Sequence, residues 1–152
     1  NEYAPLGTEV SVTNTATVSG TGITPVTATE TVNAEAAPNL AITKSVSPVP
    51  VTENGTLTYT FRIQNYGSVA ATNTTGVVIT DTFAPVLNNL TATLNGTAWT
   101  AATDYTYNEA TGTFSSTAGA ITVPAATYTQ DSTTGAWVVT PGESTLVITG
   151  TV

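Results

Sequence analysis

The chain contains no cysteine, no methionine and no histidine. Without cysteine there is no disulfide, a common staple of extracellular domains. Without histidine or cysteine a hydrolytic triad is excluded except in Ser–Lys form, and Lys44 stands beside no recognisable nucleophile motif. Positive charge is nearly missing: Lys44 and Arg62 face ten acidic residues, for a net charge of −8 over 152 residues. Two cations cannot neutralise a nucleic-acid backbone or form a polybasic patch on anionic lipid. Charged residues make up only 8% of the chain, against an ordinary share of about 25%. No apolar run is long enough to cross a bilayer, and no window carries an apolar stripe at helical spacing. No signal peptide is present, and the first residue is Asn1 rather than Met, so the chain reads as a processed product or an excerpt of something longer.

What the chain does have is threonine, 37 copies, with valine, alanine, isoleucine and leucine supplying most of its 40% hydrophobic content. Threonine and valine favour half-buried strands. Turn residues punctuate the sequence into strand-like stretches at 9–18, 26–33, 40–46, 56–65, 77–83, 90–94, 97–107, 113–123, 126–130, 136–140 and 144–152. The pattern predicts an all-β sandwich without helices. Ser19-Gly20-Thr21-Gly22 makes the first two stretches a hairpin. Ala34–Asn39 is a short linker interrupted by Pro38. The expected organisation is a hairpin over 1–35 that completes the preceding unit, a linker over 36–39 and an incomplete body over 40–152. In this reading the body lacks its final strands and the hairpin lacks a body of its own.

Side chains alternate faces along a strand, and three stretches break their own pattern. Lys44 shares a side with Leu40, Ile42 and Val46, whereas Arg62 shares one with threonines. Asp81 falls on the side of Val77, Ile79 and Phe83, and Asn14 on that of Val12, Ala16 and Val18. An inward lysine is costly unless the core needs it. An inward lysine, acid and asparagine are the components of a spontaneous Lys–Asn isopeptide bond. Burial favours the neutral amine and the protonated acid. The Lys44 amine attacks the Asn14 side-chain carbonyl, Asp81 assists and shuttles the proton, and ammonia leaves. The competing reading is a buried Lys44–Asp81 ion pair with Asn14 serving a turn or strand end.

The stretches Asn39–Pro48, Gly55–Thr60, Asn65-Tyr66-Gly67 and Val78–Thr82 resemble the start of a domain-of-unknown-function-eleven repeat, and Thr13–Val18 resembles its end. Such repeats occur in tandem in bacterial and archaeal surface proteins. The resemblance implies an Ig-like sandwich used as a spacer or building block of extracellular stalks and pilus-like appendages. The chain then reads as one period cut out of phase. Either it is cut from a tandem protein, or it is a subunit whose N-terminal hairpin completes the neighbouring unit. Both imply a head-to-tail contact that propagates without closing. A likeness to the collagen-adhesin class of sandwiches adds the expected geometry for a crosslink: lysine on the first strand, amide on the last, acid between.

Other candidates carry less. Trp99, Trp137, Tyr105, Tyr107 and Tyr128 could stack on sugar but are expected to pack. Asp104, Glu109 and Asp131 lie near turns without the spacing of a calcium loop. Four Asn-x-Thr sequons, at Asn54, Asn73, Asn89 and Asn95, are expected by chance in so threonine-rich a chain. The expectation is thus an extracellular structural subunit or repeat, partnered by identical units, with no enzymatic turnover, cofactor, metal, nucleic acid or membrane insertion. The alternative is an adhesin module that binds a surface glycan through exposed Trp and Tyr.

Overall fold

The computed structural model describes residues 9–152. It holds twelve strands: β1 (Glu9–Gly20), β2 (Ile23–Glu35), β3 (Leu40–Ser47), β4 (Thr56–Asn65), β5 (Thr80–Thr82), β6 (Asn88–Leu94), β7 (Thr97–Ala98), β8 (Tyr105–Asn108), β9 (Thr113–Ser116), β10 (Thr127–Gln130), β11 (Trp137–Thr140) and β12 (Gly142–Thr151). One turn of 3-10 helix, Asn73–Thr75, precedes β5. Among the described residues no helix is long and apolar enough to cross a membrane.

Two antiparallel sheets supply the body's core. The larger runs β3-β4-β12-β6-β7 and the smaller β5-β9-β8. β12 is central because its alternation leaves Ser144, Leu146 and Ile148 buried, while its backbone is used on both sides, by β4 and by β6. β4 repeats the device with Leu57, Tyr59, Phe61 and Ile63 inward. These meet Phe83, Leu87, Tyr105 and Phe114 in one cluster, with Tyr59 and Phe83 ring centroids 4.7 Å apart. Asn95 (φ 50°) and Gly96 (φ 80°) close the β6–β7 hairpin, the left-handed pair that a two-residue turn requires.

Three long expected strands are shorter. The 77–83 stretch narrows to β5, following Gly76 at φ 70°. The 97–107 stretch divides, because Asp104 Oδ2 accepts from the Thr100 amide at 2.7 Å and Ala102 turns to φ 66°. The 113–123 stretch ends at Ser116. A turn closed by Ala120 N to Thr117 O follows, and Val123 makes an isolated bridge to Ala71. Alternation survives across these breaks in the sequence, but local side-chain caps take the backbone out of the ladder.

Among the described residues β1 and β2 pair only with each other, from Glu9↔Glu35 to Gly20↔Ile23. β10 and β11 form a second separate ribbon, tied to the body where the Tyr128 hydroxyl donates to Tyr66 O at 2.5 Å.

Candidate functional site: an uncovered edge strand and its lysine

Among the described residues β3 is the edge of the five-stranded sheet and bonds to β4 alone. Its register sets Ile42 opposite Ile63, Lys44 opposite Phe61 and Val46 opposite Tyr59. Those β4 partners are buried, yet on the same face Ile42 is 53% exposed, and Leu40 and Val46 are exposed as well. The difference is coverage. The smaller sheet has three strands against five, and β5 is its edge, reaching β3 through the Asp81 side chain. An open strand edge with an apolar inner face is what natural sheets ordinarily protect.

Lys44 occupies the mouth of this opening. Its ammonium lies 4.8 Å from the Tyr59 ring centroid, 5.4 Å from Phe83 and 5.6 Å from Phe61, within cation–π range. It donates to Asp81 Oδ2, and Asp81 Oδ1 accepts from the Thr82 amide at 2.9 Å. The side chains remain 41% and 18% exposed. The inward direction read for both residues is therefore observed, and they are in contact across the two layers. Arg62 points outward and pairs with Glu143 at 2.5 Å. That pair raises the Arg62 guanidinium and lowers the Glu143 carboxyl from their ordinary values, with the mutual hydrogen bond as the largest cause.

Asn14 is not brought to Lys44 within the chain. It lies in β1, opposite Glu30 of β2. Directly opposed residues share a face, so one face of the ribbon carries Val12, Asn14, Ala16 and Val18 with Val26, Ala28, Glu30 and Val32. These side chains are exposed; Val32 is open at 64%. The other face is a threonine ladder, with Thr13–Thr31 and Thr15–Thr29 hydroxyls 3.0 Å apart. Reading the residues one stretch at a time passed over Glu30. Its signal was there: Val26, Ala28, Glu30 and Val32 alternate with threonines, the same break in pattern that marked Asn14.

Where the linker meets the body, Asn65 is wholly buried. Its Oδ1 accepts from the amides of Asn39 and Gly67, both at 2.9 Å. Its Nδ2 donates to Val69 O at 2.8 Å and Pro124 O at 3.0 Å. A Cβ at Gly67 would sit 2.2 Å from Ala37 O, so the linker fits only against a glycine. This anchor was not foreseen either, since a lone Asn before a turn reads as surface.

The aromatic candidates are engaged elsewhere. Trp99 stacks on Tyr105 at 6.5 Å and Tyr105 on Phe114 at 5.4 Å; burial pushes the Tyr105 hydroxyl up from its ordinary value. Tyr107 donates to Leu87 O and accepts from Leu87 N, both at 2.9 Å. Trp137 is half-buried. Asp131 Oδ1 takes the Thr134 and Thr133 amides and the Thr134 hydroxyl, which hold its carboxyl low. Among the described residues no three acidic side chains gather as a metal site. The chain matches no family model, no curated protein and no solved structure.

Proposed function

We propose that the chain is a structural subunit or repeat of an extracellular fibre or stalk, assembled head-to-tail by strand donation. The β1–β2 ribbon of one unit lies over β3 of the preceding one, beside β5, with its valine face inward. The smaller sheet then gains two strands and matches the larger one, five against five. One observation carries this reading: the same chain holds an uncovered apolar strand with an inward lysine and an uncovered apolar ribbon with an inward asparagine. Donor and acceptor are different surfaces, so the contact is heterologous and repeats along a line. The resemblance to tandem surface repeats and the Ig-like form it implies agree with this assignment, as does the packing of Trp99, Tyr105 and Tyr107 at the core.

The crosslink is the second part of this reading. Docking buries the Lys44–Asp81 pair and sets the Asn14 carboxamide against it. The Lys44 nitrogen forms a bond to Asn14 Cγ, the Cγ–Nδ2 bond breaks, and the nitrogen leaves as ammonia. Asp81 takes the proton that the ammonium must lose before attack. The test is intact mass after boiling in detergent. A ladder in which each joined unit has lost the mass of one ammonia supports the reading. Assemblies that separate into chains of unaltered mass leave Lys44 as no more than the ion-pair partner of Asp81.

A further inference from the structure

We propose that Glu30 is a second catalytic carboxyl of this crosslink, delivered with the amide by the donated ribbon; the proposal rests on the strand-donation reading. The register places Glu30 directly opposite Asn14. Opposed positions in an antiparallel pair hold their Cβ atoms about 5 Å apart, so the Glu30 carboxyl can reach the Asn14 carboxamide. Otherwise that face presents Val12, Ala16, Val18, Val26, Ala28 and Val32. A carboxylate on an apolar face destined for burial is costly without a partner. The body has two cations, and Arg62 is committed to Glu143 on the outer surface. Lys44 is the one that faces the opening.

Covering β3 therefore brings together one cation, Lys44, and two acids, Asp81 and Glu30. Tyr59 from β4 is the further titratable side chain against the Lys44 ammonium, which also faces the Phe61 and Phe83 rings. Two carboxylates and one ammonium leave a buried net negative charge, which the site relieves by taking up a proton on one carboxyl. That proton is the one the reaction needs. With Lys44 paired to Asp81, Glu30 is the protonated partner and donates to Asn14 Oδ1, polarising the carbonyl. Asp81 accepts a proton from the ammonium, and the freed amine attacks Cγ. A second proton from that nitrogen passes by way of Glu30 to Nδ2, which leaves as neutral ammonia. Atoms and charge balance: ammonium, carboxylate, carboxylic acid and carboxamide become a secondary amide, ammonia and two carboxylic acids. No net charge remains buried.

Glu30→Gln keeps the shape and the hydrogen bond to the amide but cannot exchange the proton. The full chain and this variant are assembled side by side. Filaments are counted by electron microscopy, and crosslinking is timed by intact mass. The expected result is that Glu30→Gln forms filaments of normal diameter while its crosslinking rate falls by about a hundredfold or more, the lower range for a positioned acid. A variant that crosslinks at the wild-type rate, or forms no filament, overturns the role of Glu30. Failure of strand donation itself would show in the wild type, which would then assemble no better than a chain lacking residues 1–35.

Discussion

Replacing Asn65 with alanine should loosen the junction between linker and body. The side chain makes four hydrogen bonds, two accepted from Asn39 N and Gly67 N and two donated to Val69 O and Pro124 O, with no exposed surface. Each such bond contributes about 1 kcal/mol net, so Asn65→Ala should cost about 4 kcal/mol, a large part of the ordinary 5–15 kcal/mol of a domain. With a urea m-value of about 2 kcal/mol/M, the unfolding midpoint should fall by about 2 M. Asn65→Asp separates the two halves of the network. It keeps both accepted bonds but turns an oxygen toward two carbonyls. The introduced carboxyl is then harder to ionise folded than unfolded. Its penalty is absent below the unfolded value near 4 and grows as pH rises above it. The gap between wild type and Asn65→Asp should therefore be wide at pH 7 and narrow towards pH 4. A midpoint shift for Asn65→Ala under about 0.5 M would refute the network as the linker's anchor. So would an Asn65→Asp gap that does not change with pH.

Removing residues 1–35 should abolish polymerisation while leaving a folded body, read by electron microscopy and circular dichroism; filaments of normal diameter would end the donation reading. Lys44→Ala and Asn14→Ala should each erase the boiled-detergent ladder, whereas Asp81→Ala should slow or abolish it with both reacting groups still present. Gly67→Ala places a Cβ 2.2 Å from Ala37 O; its thermal midpoint should drop well below that of Gly76→Ala, where a Cβ meets nothing within 4 Å, the strain of a positive φ notwithstanding. The Arg62–Glu143 pair lowers the Glu143 carboxyl, so its contribution is present above the unfolded carboxyl value and is lost as pH falls through the lower folded one. Glu143→Gln should flatten that acid limb of the stability profile, and an unchanged limb would show the exposed pair to be idle.

Period-two alternation made the face of each long strand legible: Lys44 inward, Arg62 outward and Leu57–Ile63 in the core all follow from counting by twos. Hairpin and turn positions at Gly20–Gly22 and Asn95-Gly96 were legible because left-handed backbone leaves few residue choices. Strand lengths around Thr80, Trp99 and Ser116 were not, since they depend on caps such as Asp104 to Thr100 that compete with the ladder. Glu30 was hidden by register, a property of two strands at once. The Lys44–Asp81 contact was anticipated from direction alone, because two inward polar groups on facing layers have few other partners. Asn65 depends on Asn39, Gly67, Val69 and Pro124 converging from distant parts of the chain, which no local pattern reports.

The position of Lys44 decides what would bear a load. It lies in β3, the strand that directly follows the linker, and Asn14 lies in the ribbon before it. With a bond from each Lys44 to the Asn14 of its neighbour, tension entering a unit at Asn14 leaves it at Lys44, having travelled only residues 14–44. Residues 45–152 hang from that thread as a pendant mass. The sandwich could melt, or be nicked in an exposed turn such as 131–135, without lengthening or parting the line. Such a fibre resists stretch through covalent bonds in a short segment and uses the folded body to seat and ignite the knot.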